Sequence, residues 1–317
     1  VRDKDEPGTR HARKVFGAVR AVAKSIRVVE ALAGKDAADH LAAGHPVEAF
    51  VPVWPAGDLR KTDPVAWKRR ALRMSFDASD PIREIDPVAA LARPSEPRWP
   101  TGLEGEPTTL RGFKGVCIVA GVQSSGKSYL ALGSAVQAAF AGWDVLYLNA
   151  EMAEQPFAHR LLAYCGELPV PKTFHSLDVG YGASVEALID WLEARVTERH
   201  TLIVFDSVSS FCDQAEDQNA EDVHGLGMLK RIVMWAINVR RATEGEIGFL
   251  LLAEASKEGR VRGRTADHKA DLALLMETPK EVARTVKRIT VAKAWESETG
   301  TIGDFGLDVK SARLRRL

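Results

Sequence analysis

The chain has 317 residues, with 43 Lys+Arg against 43 Asp+Glu, 45% hydrophobic and 27% charged residues, and a pI near 7.2. This composition excludes a disordered or fibrous chain, and zero net charge excludes a globally basic coat for nucleic acid, so a polyanion must be met by a local patch. No apolar run approaches the ~20 residues of a membrane span, and the three scattered cysteines, Cys117, Cys165 and Cys212, read as reduced core residues of a cytoplasmic protein. No signal peptide is visible, and Val1 already lies in a helix-rich pattern, which predicts a segment upstream of it.

Residues 1–52 read as the end of an α/β unit. A basic amphipathic helix is predicted over 9–23, a short strand over 25–30, and helical turns over 36–43 and 46–50 around Gly44. Nine of the fifteen prolines fall between Pro52 and Pro107, so 53–100 reads as a proline-rich linker. It carries one short helix, 63–76, whose Lys68, Arg69, Arg70 and Arg73 form a basic face. From residue 101 strands alternate with helices. Strands are predicted over 116–120, 144–149, 202–205, 247–253 and 271–276, helices over 127–141, 155–164, 185–196 and 221–241, and a closing hairpin over 285–292 and 302–309. Such alternation implies an α/β fold, a mainly parallel sheet flanked by helices on both faces.

Residues 121–128, Gly-Val-Gln-Ser-Ser-Gly-Lys-Ser, match G-x-x-x-x-G-K-[ST] between a buried strand and a helix. The glycines let the backbone curl into a nest of N–H groups, and the helix amino terminus adds favourable potential for an anion. Gly121, Val122, Gln123, Ser124, Ser125, Gly126, Lys127, Ser128 and the following Tyr129 are therefore the expected ATP contacts. Lys127 is expected on the β- and γ-phosphates, and the Ser128 hydroxyl on Mg²⁺. A second signal is the apolar strand 201–206 ending in Asp206, expected at the carboxyl edge of the strand adjacent to the phosphate loop, where it would hold a Mg²⁺-bound water. A third is Glu151, after strand 144–149, where a carboxylate can orient and deprotonate the water attacking the γ-phosphate. Glu154 is its rival for that role.

Residues 121–152 followed by Leu-Ile-Val-Phe-Asp-Ser at 202–207 resemble the RecA-like ATPases of the DnaB helicase, RepA and RadA type. The resemblance covers about 100–317 and implies a RecA-like P-loop ATPase domain over 101–317, with Glu151 as catalytic base and a ring-forming homo-oligomer, a hexamer in many relatives. The stretch 253–271, with Lys257, Arg260, Arg262 and Arg264, looks like that group's sensor and DNA-loop region, and 290–307 like its closing hairpin, in which Lys293 would face a neighbouring subunit's nucleotide. Two positions depart from the pattern. Ala253-Glu254 stands where a Gln or His sensor is usual, and Lys293-Ala294-Trp295 lacks the arginine of Lys-x-Arg, a role Arg262 or Arg264 could take.

Interleaved with Gly259 and Gly263, the basic stretch also suits a nucleic-acid backbone on its own chemistry, and single-stranded DNA is the expected partner. The acidic run 213–222 reads as a solvated loop, and the tail 310–316 as a solvated terminus. At the other end, residues 1–8 with 34–44 resemble the second half of a Toprim domain. There Asp3 and Asp5, two residues apart on one side of an extended segment, would share a Mg²⁺ whose remaining carboxylate lies upstream. Toprim, linker and RecA-like motor together describe a primase–helicase-like replication protein, with primer synthesis not expected from this part of it. Two alternatives stand beside that reading: a RepA- or RadA-like ATPase or recombination mediator, and a nucleotide-gated DNA-binding or assembly protein that separates no strands.

Overall fold

The structure is a computed structural model that describes residues 11, 28–31, 33–46, 51–54, 63–73, 95–105, 112–179, 185–208, 210–211, 226–255, 270–280, 282–294 and 299–317. The chain divides into two compact units, Val1–Trp67 and Lys68–Leu317.

In the first unit, β1 (Val28–Glu30) pairs antiparallel with β2 (Val51–Trp54), and α1 (Ala37–Ala42) lies between them in sequence. Asp36 caps α1, accepting the Asp39 N–H on Oδ1 at 2.9 Å, as the expected turn over 36–43 required. Strand β2 was not expected, because Pro52 argues against a ladder. A two-stranded ribbon leaves every strand with an unpaired edge, where a missing N–H costs nothing. Asp3, Asp5 and all of the helix expected over 9–23 except His11 lie outside the described residues.

The second unit is built on a ten-stranded sheet. Its strands are β3 (Leu103–Glu104), β4 (Val116–Gly121), β5 (Asp144–Asn149), β6 (Phe174–Asp178), β7 (Thr201–Asp206), β8 (Ile247–Glu254), β9 (Leu272–Glu277), β10 (Val286–Ala294), β11 (Gly300–Asp308) and β12 (Arg313–Arg316), in the spatial order β3-β12-β11-β10-β9-β4-β8-β7-β5-β6. From β9 to β6 every pairing is parallel, while β9, β10, β11 and β12 pair antiparallel. Helices α3 (Lys127–Phe140), α4 (Glu154–Cys165), α5 (Val185–Glu193) and α6 (Leu226–Ala242) cover the two faces. Alternation within the strands sorts the core. Cys117 and Val119 of β4 face Leu130, Phe157 and Leu161 from α3 and α4, whereas Val116, Ile118 and Ala120 face Leu188, Leu192, Ile232 and Trp235 from α5 and α6. Among the described residues no helix is long and apolar enough to cross a membrane. Cys117 and Cys165 are buried free thiols.

Two expectations are corrected here. The strand that ends in Asp206 is not the neighbour of β4, because β8 inserts between them and pairs parallel with both. Chain order hides this, since β8 comes after β7 in sequence yet sits inside it in space. The tail is not a solvated terminus either. Strand β12 pairs with β11 and β3, Leu314 is buried, and Arg313 and Arg315 both pair with Glu104. A four-residue strand with one buried leucine carries too short an alternation to be recognised from sequence.

The helix expected over 63–76 appears as α2 (Pro64–Leu72), begun by proline at its first position, with the Ala66 N–H donating to Asp63 Oδ1 at 2.8 Å. Its basic residues do not form a free face. Lys68 is 1% exposed, and its Nζ donates to the carbonyls of Thr197 and Glu198 at 3.3 Å and to that of Arg199. Arg69 donates to the Glu193 carbonyl at 2.8 Å, and Arg73 pairs with Asp190 and Glu193. Carbonyls at and beyond the carboxyl end of α5 attract cations, which explains why a basic stripe is buried here. Leu72 completes the join, with its side chain in the core and its carbonyl accepting from Trp235 Nε1 at 2.9 Å.

Candidate active site

Six parallel strands end along one edge of the sheet. Strand β4 is buried throughout, then the chain turns over 122–126 into α3. Ser124 and Gly126 hold φ of 63° and 100°, the left-handed region that lets successive N–H groups turn inward. Gly126 caps α3 without any side-chain hydrogen bond, so the first-turn donors are left for an outside acceptor. At Gly121 a Cβ would lie 2.4 Å from Ser125 Oγ and 2.5 Å from the Met276 carbonyl, so only glycine fits. Ser125 is 1% exposed, yet its hydroxyl has no hydrogen-bond partner. An orphaned hydroxyl inside a nest of N–H donors fits a phosphate oxygen. Val122, Gln123 and Ser124 form the exposed crown of the loop.

Lys127 is 7% exposed, and its Nζ donates to the carbonyls of Gly121 at 2.8 Å and Val122 at 3.1 Å. Burial pulls its pKa below the ordinary lysine value, opposed by the charges of Glu151, Glu254 and Asp206 in that order. Three carboxylates therefore surround one ammonium at this corner. Tyr129 sits on the first turn of α3 with the Arg160 guanidinium 4.5 Å above its ring.

Although β8 separates their strands, Ser128 and Asp206 meet. Ser128 Oγ donates to Asp206 Oδ1 at 3.0 Å, and the Tyr147 hydroxyl donates to Oδ2 at 2.6 Å. Asp206 is fully buried, and desolvation raises its pKa to about 6, against the Tyr147 hydrogen bond that favours the ionised form. One hydroxyl and one carboxylate oxygen at this distance are hard donors of the kind Mg²⁺ takes, so Ser128 and Asp206 fit that ion. Tyr147 was not foreseen. Its signal was a tyrosine inside an apolar strand, since a buried phenol needs a partner.

Asn149 was missed as well. Its side chain closes on the backbone of Met152, donating to the carbonyl and accepting the N–H at 3.1 Å. This turn carries Glu151 just past the end of β5, beside Asp206, whose carbonyl accepts the Ala150 N–H at 2.7 Å. Glu151 is exposed on that turn. Glu154 instead opens α4, where a carboxylate complements the helix amino terminus. Glu254 ends β8 in register with Gly121. The Lys293 Nζ donates at 2.8 Å to the carbonyl of Ala270, which precedes β9 in the same chain. Lys257, Arg260, Arg262, Arg264 and the acidic run 213–222 lie outside the described residues.

Residues 78–260, more than half of the chain, match the AAA domain family AAA_25. No curated protein matches the sequence. Solved structures share the fold at low identity. The RadB recombinase aligns with a TM-score of 0.54 at 16% identity, over 68% of this chain and 98% of its own. A KaiC-like protein from the hyperthermophilic archaeon Pyrococcus horikoshii OT3 aligns with 0.53 at 11%, over 70% and 100%. A DnaB-like replicative helicase, solved in a study of its interactions with primase, aligns with 0.56 at 12%, over 83% and 78%.

Proposed function

This chain belongs to the AAA domain family AAA_25 and has the RecA-like P-loop ATPase fold, and from that premise we propose that it binds and hydrolyses Mg²⁺–ATP as the motor of a primase–helicase-like protein acting on DNA. The observation that carries the ATPase reading is the 3.0 Å contact between Ser128 and Asp206 across an intervening strand. Two oxygen donors from separate elements converge beside a nest that holds an unpartnered hydroxyl. In this reading the loop N–H groups and Lys127 bind the β- and γ-phosphates, and Ser128 and Asp206 hold the metal. A Mg²⁺ ion held there would supply neutralisation of phosphate charge. Tyr147 keeps Asp206 ionised and aimed, Asn149 fixes the turn, and Glu151 takes the proton of the attacking water.

The DNA and assembly parts of the proposal rest on chemistry and resemblance. Lys257, Arg260, Arg262 and Arg264 would grip single-stranded backbone, and a homo-oligomer, a hexamer in this reading, would complete the sites. The helicase likeness, at the fold level, supports the same direction. A Toprim-like first unit, with Asp3 and Asp5 as part of a metal site, belongs to the proposal too, supported by the Asp36-capped helix between Gly34 and Gly44.

One observation favours a second reading, a nucleotide-gated DNA-binding or assembly protein without strand separation. Lys293, expected to serve a neighbouring subunit, is engaged with Ala270 of its own chain, and the arginine that usually accompanies it is replaced by Trp295. Phosphate release with and without single-stranded DNA, measured beside strand displacement, separates the two. Stimulated release with displacement supports the motor, and stimulated release without displacement supports the gate. In either case Lys127→Ala should lower release by about 10²-fold or more. Normal turnover in that variant would overturn both.

A further inference from the structure

Alternation along β10 turns Ile289 and Val291 into the core, and the same face begins with Lys287. Lys287 is 4% exposed. Its Nζ donates at 2.9 Å to the carbonyl of Ser124, at the crown of the phosphate loop, and at 2.9 Å to Thr278 Oγ1. Its stem runs beside the loop, since a Cβ on Gly126 would meet Lys287 Cγ at 3.4 Å and Cδ at 3.6 Å. A second lysine is thus built against the loop from a strand two places away in the sheet. Desolvation pulls its ammonium below the ordinary lysine value.

A buried cation on two neutral oxygens costs the fold stability, so its position calls for another explanation. The contact with Ser124 supplies one. Ser124 holds φ of 63°, which a non-glycine residue keeps only where its surroundings enforce it. Its carbonyl belongs to the peptide whose other end is the Ser125 N–H, which donates to the Val122 carbonyl at 3.2 Å and closes the turn of the loop. An ammonium on that oxygen pins the peptide plane and polarises it, which strengthens the N–H as a donor.

We propose that Lys287 is a positioning residue for nucleotide binding, acting through the Ser124 carbonyl to hold the phosphate loop in its anion-cradling form. Its ligand class is any nucleotide with a β-phosphate, di- and triphosphate alike, because the loop and not the γ-phosphate is what it touches. The inference rests on the reading of 121–128 as an ATP site.

The test uses the full chain carrying Lys287→Met, which keeps the stem and removes the charge. Mg²⁺–ATP and Mg²⁺–ADP are titrated, and steady-state hydrolysis and thermal unfolding are followed alongside. Both Kd values should rise by the same factor, about tenfold for one charge-assisted hydrogen bond. KM should rise with them, kcat should stay within about twofold, and the unfolding temperature should not fall. Lys287→Gln, which keeps a donor for Ser124 without the charge, should recover part of the affinity, and serves in place of Lys287→Met if that variant does not fold. Unchanged Kd values would overturn the inference. So would a loss confined to ATP, which would mean direct γ-phosphate contact, or a loss of kcat at constant KM. Should the wild-type chain bind neither nucleotide, the ATP reading itself fails; if it binds both and Lys287→Met binds them equally well, only this inference fails.

Discussion

The two ends of the parallel sheet treat buried charge differently. At the amino end, charges meet opposite charges. Arg240 pairs with Glu96 at 2.6 Å and Asp271 at 3.3 Å, Lys68 lies 3.9 Å from Glu246, and Arg199 lies 3.6 Å from Asp144. Asp271 also accepts the Val116 N–H at 2.8 Å, so the network ties α6, β9 and β4 together. At the carboxyl end, Lys127 and Lys287 rest on carbonyls and a threonine hydroxyl, and Asp206 rests on two hydroxyls. Both ends hold charge out of water, but the amino end closes it in ion pairs, whereas at the carboxyl end Lys127 feels the charges of Glu151, Glu254 and Asp206 yet donates to carbonyls. Charges cancelled by one another stiffen a fold, whereas charges held by neutral groups keep their field for a ligand.

This contrast can be broken most forcefully at Arg240. Arg240→Met leaves the partly buried Asp271 and Glu96 without their cation and should cost about 3 kcal/mol in urea unfolding, with the Kd for ATP unchanged in the folded protein. Weakened nucleotide binding at undiminished stability would erase the distinction between the two ends. Asp206→Asn probes the opposite end with the opposite sign. A carboxyl pKa raised from 3.8 to about 6 means the ionised group opposes folding at neutral pH, since the folded state binds its proton more tightly. The asparagine variant, measured in EDTA, should therefore be more stable than wild type, by at most about 2–3 kcal/mol, while losing its response to Mg²⁺. A destabilised Asp206→Asn would show that this end is structural after all. The smallest effect is expected from Tyr147→Phe, which removes one hydrogen bond to the carboxylate. It should raise the Mg²⁺ concentration needed for half-maximal hydrolysis by about tenfold, and an unchanged Mg²⁺ dependence would show that Asp206 needs no such support.

What the sequence revealed and what it hid follow the same division. The G-x-x-x-x-G-K-[ST] turn and the places of Asp206 and Glu151 at strand ends were legible because fixed residue types at fixed spacings beside apolar strands mark them. Tyr147, Asn149 and Lys287 were not, because their partners lie on other strands or across a turn, and no local pattern announces them. Lys287 left a trace nonetheless: a strand whose alternation turns Ile289 and Val291 inward must turn Lys287 inward too. The basic stripe of α2 misled for the same reason. Composition shows four cations in one short helix, but only the fold shows the carbonyls that receive Lys68 and Arg69. Sheet order was hidden as well, since nothing in the order of the chain says that β8 inserts between β4 and β7.

In the proposed reading this carboxyl edge binds Mg²⁺–ATP and hydrolyses it with Glu151 as base. Its most direct test measures bound ATP and released phosphate on the same preparation of Glu151→Gln. The amide can still hydrogen-bond water but cannot take its proton, so the account predicts ATP affinity within about twofold of wild type and turnover lowered by about 10²–10⁴-fold. Turnover near the wild-type rate at intact binding would contradict it, and would move the base to another carboxylate, Glu154 first.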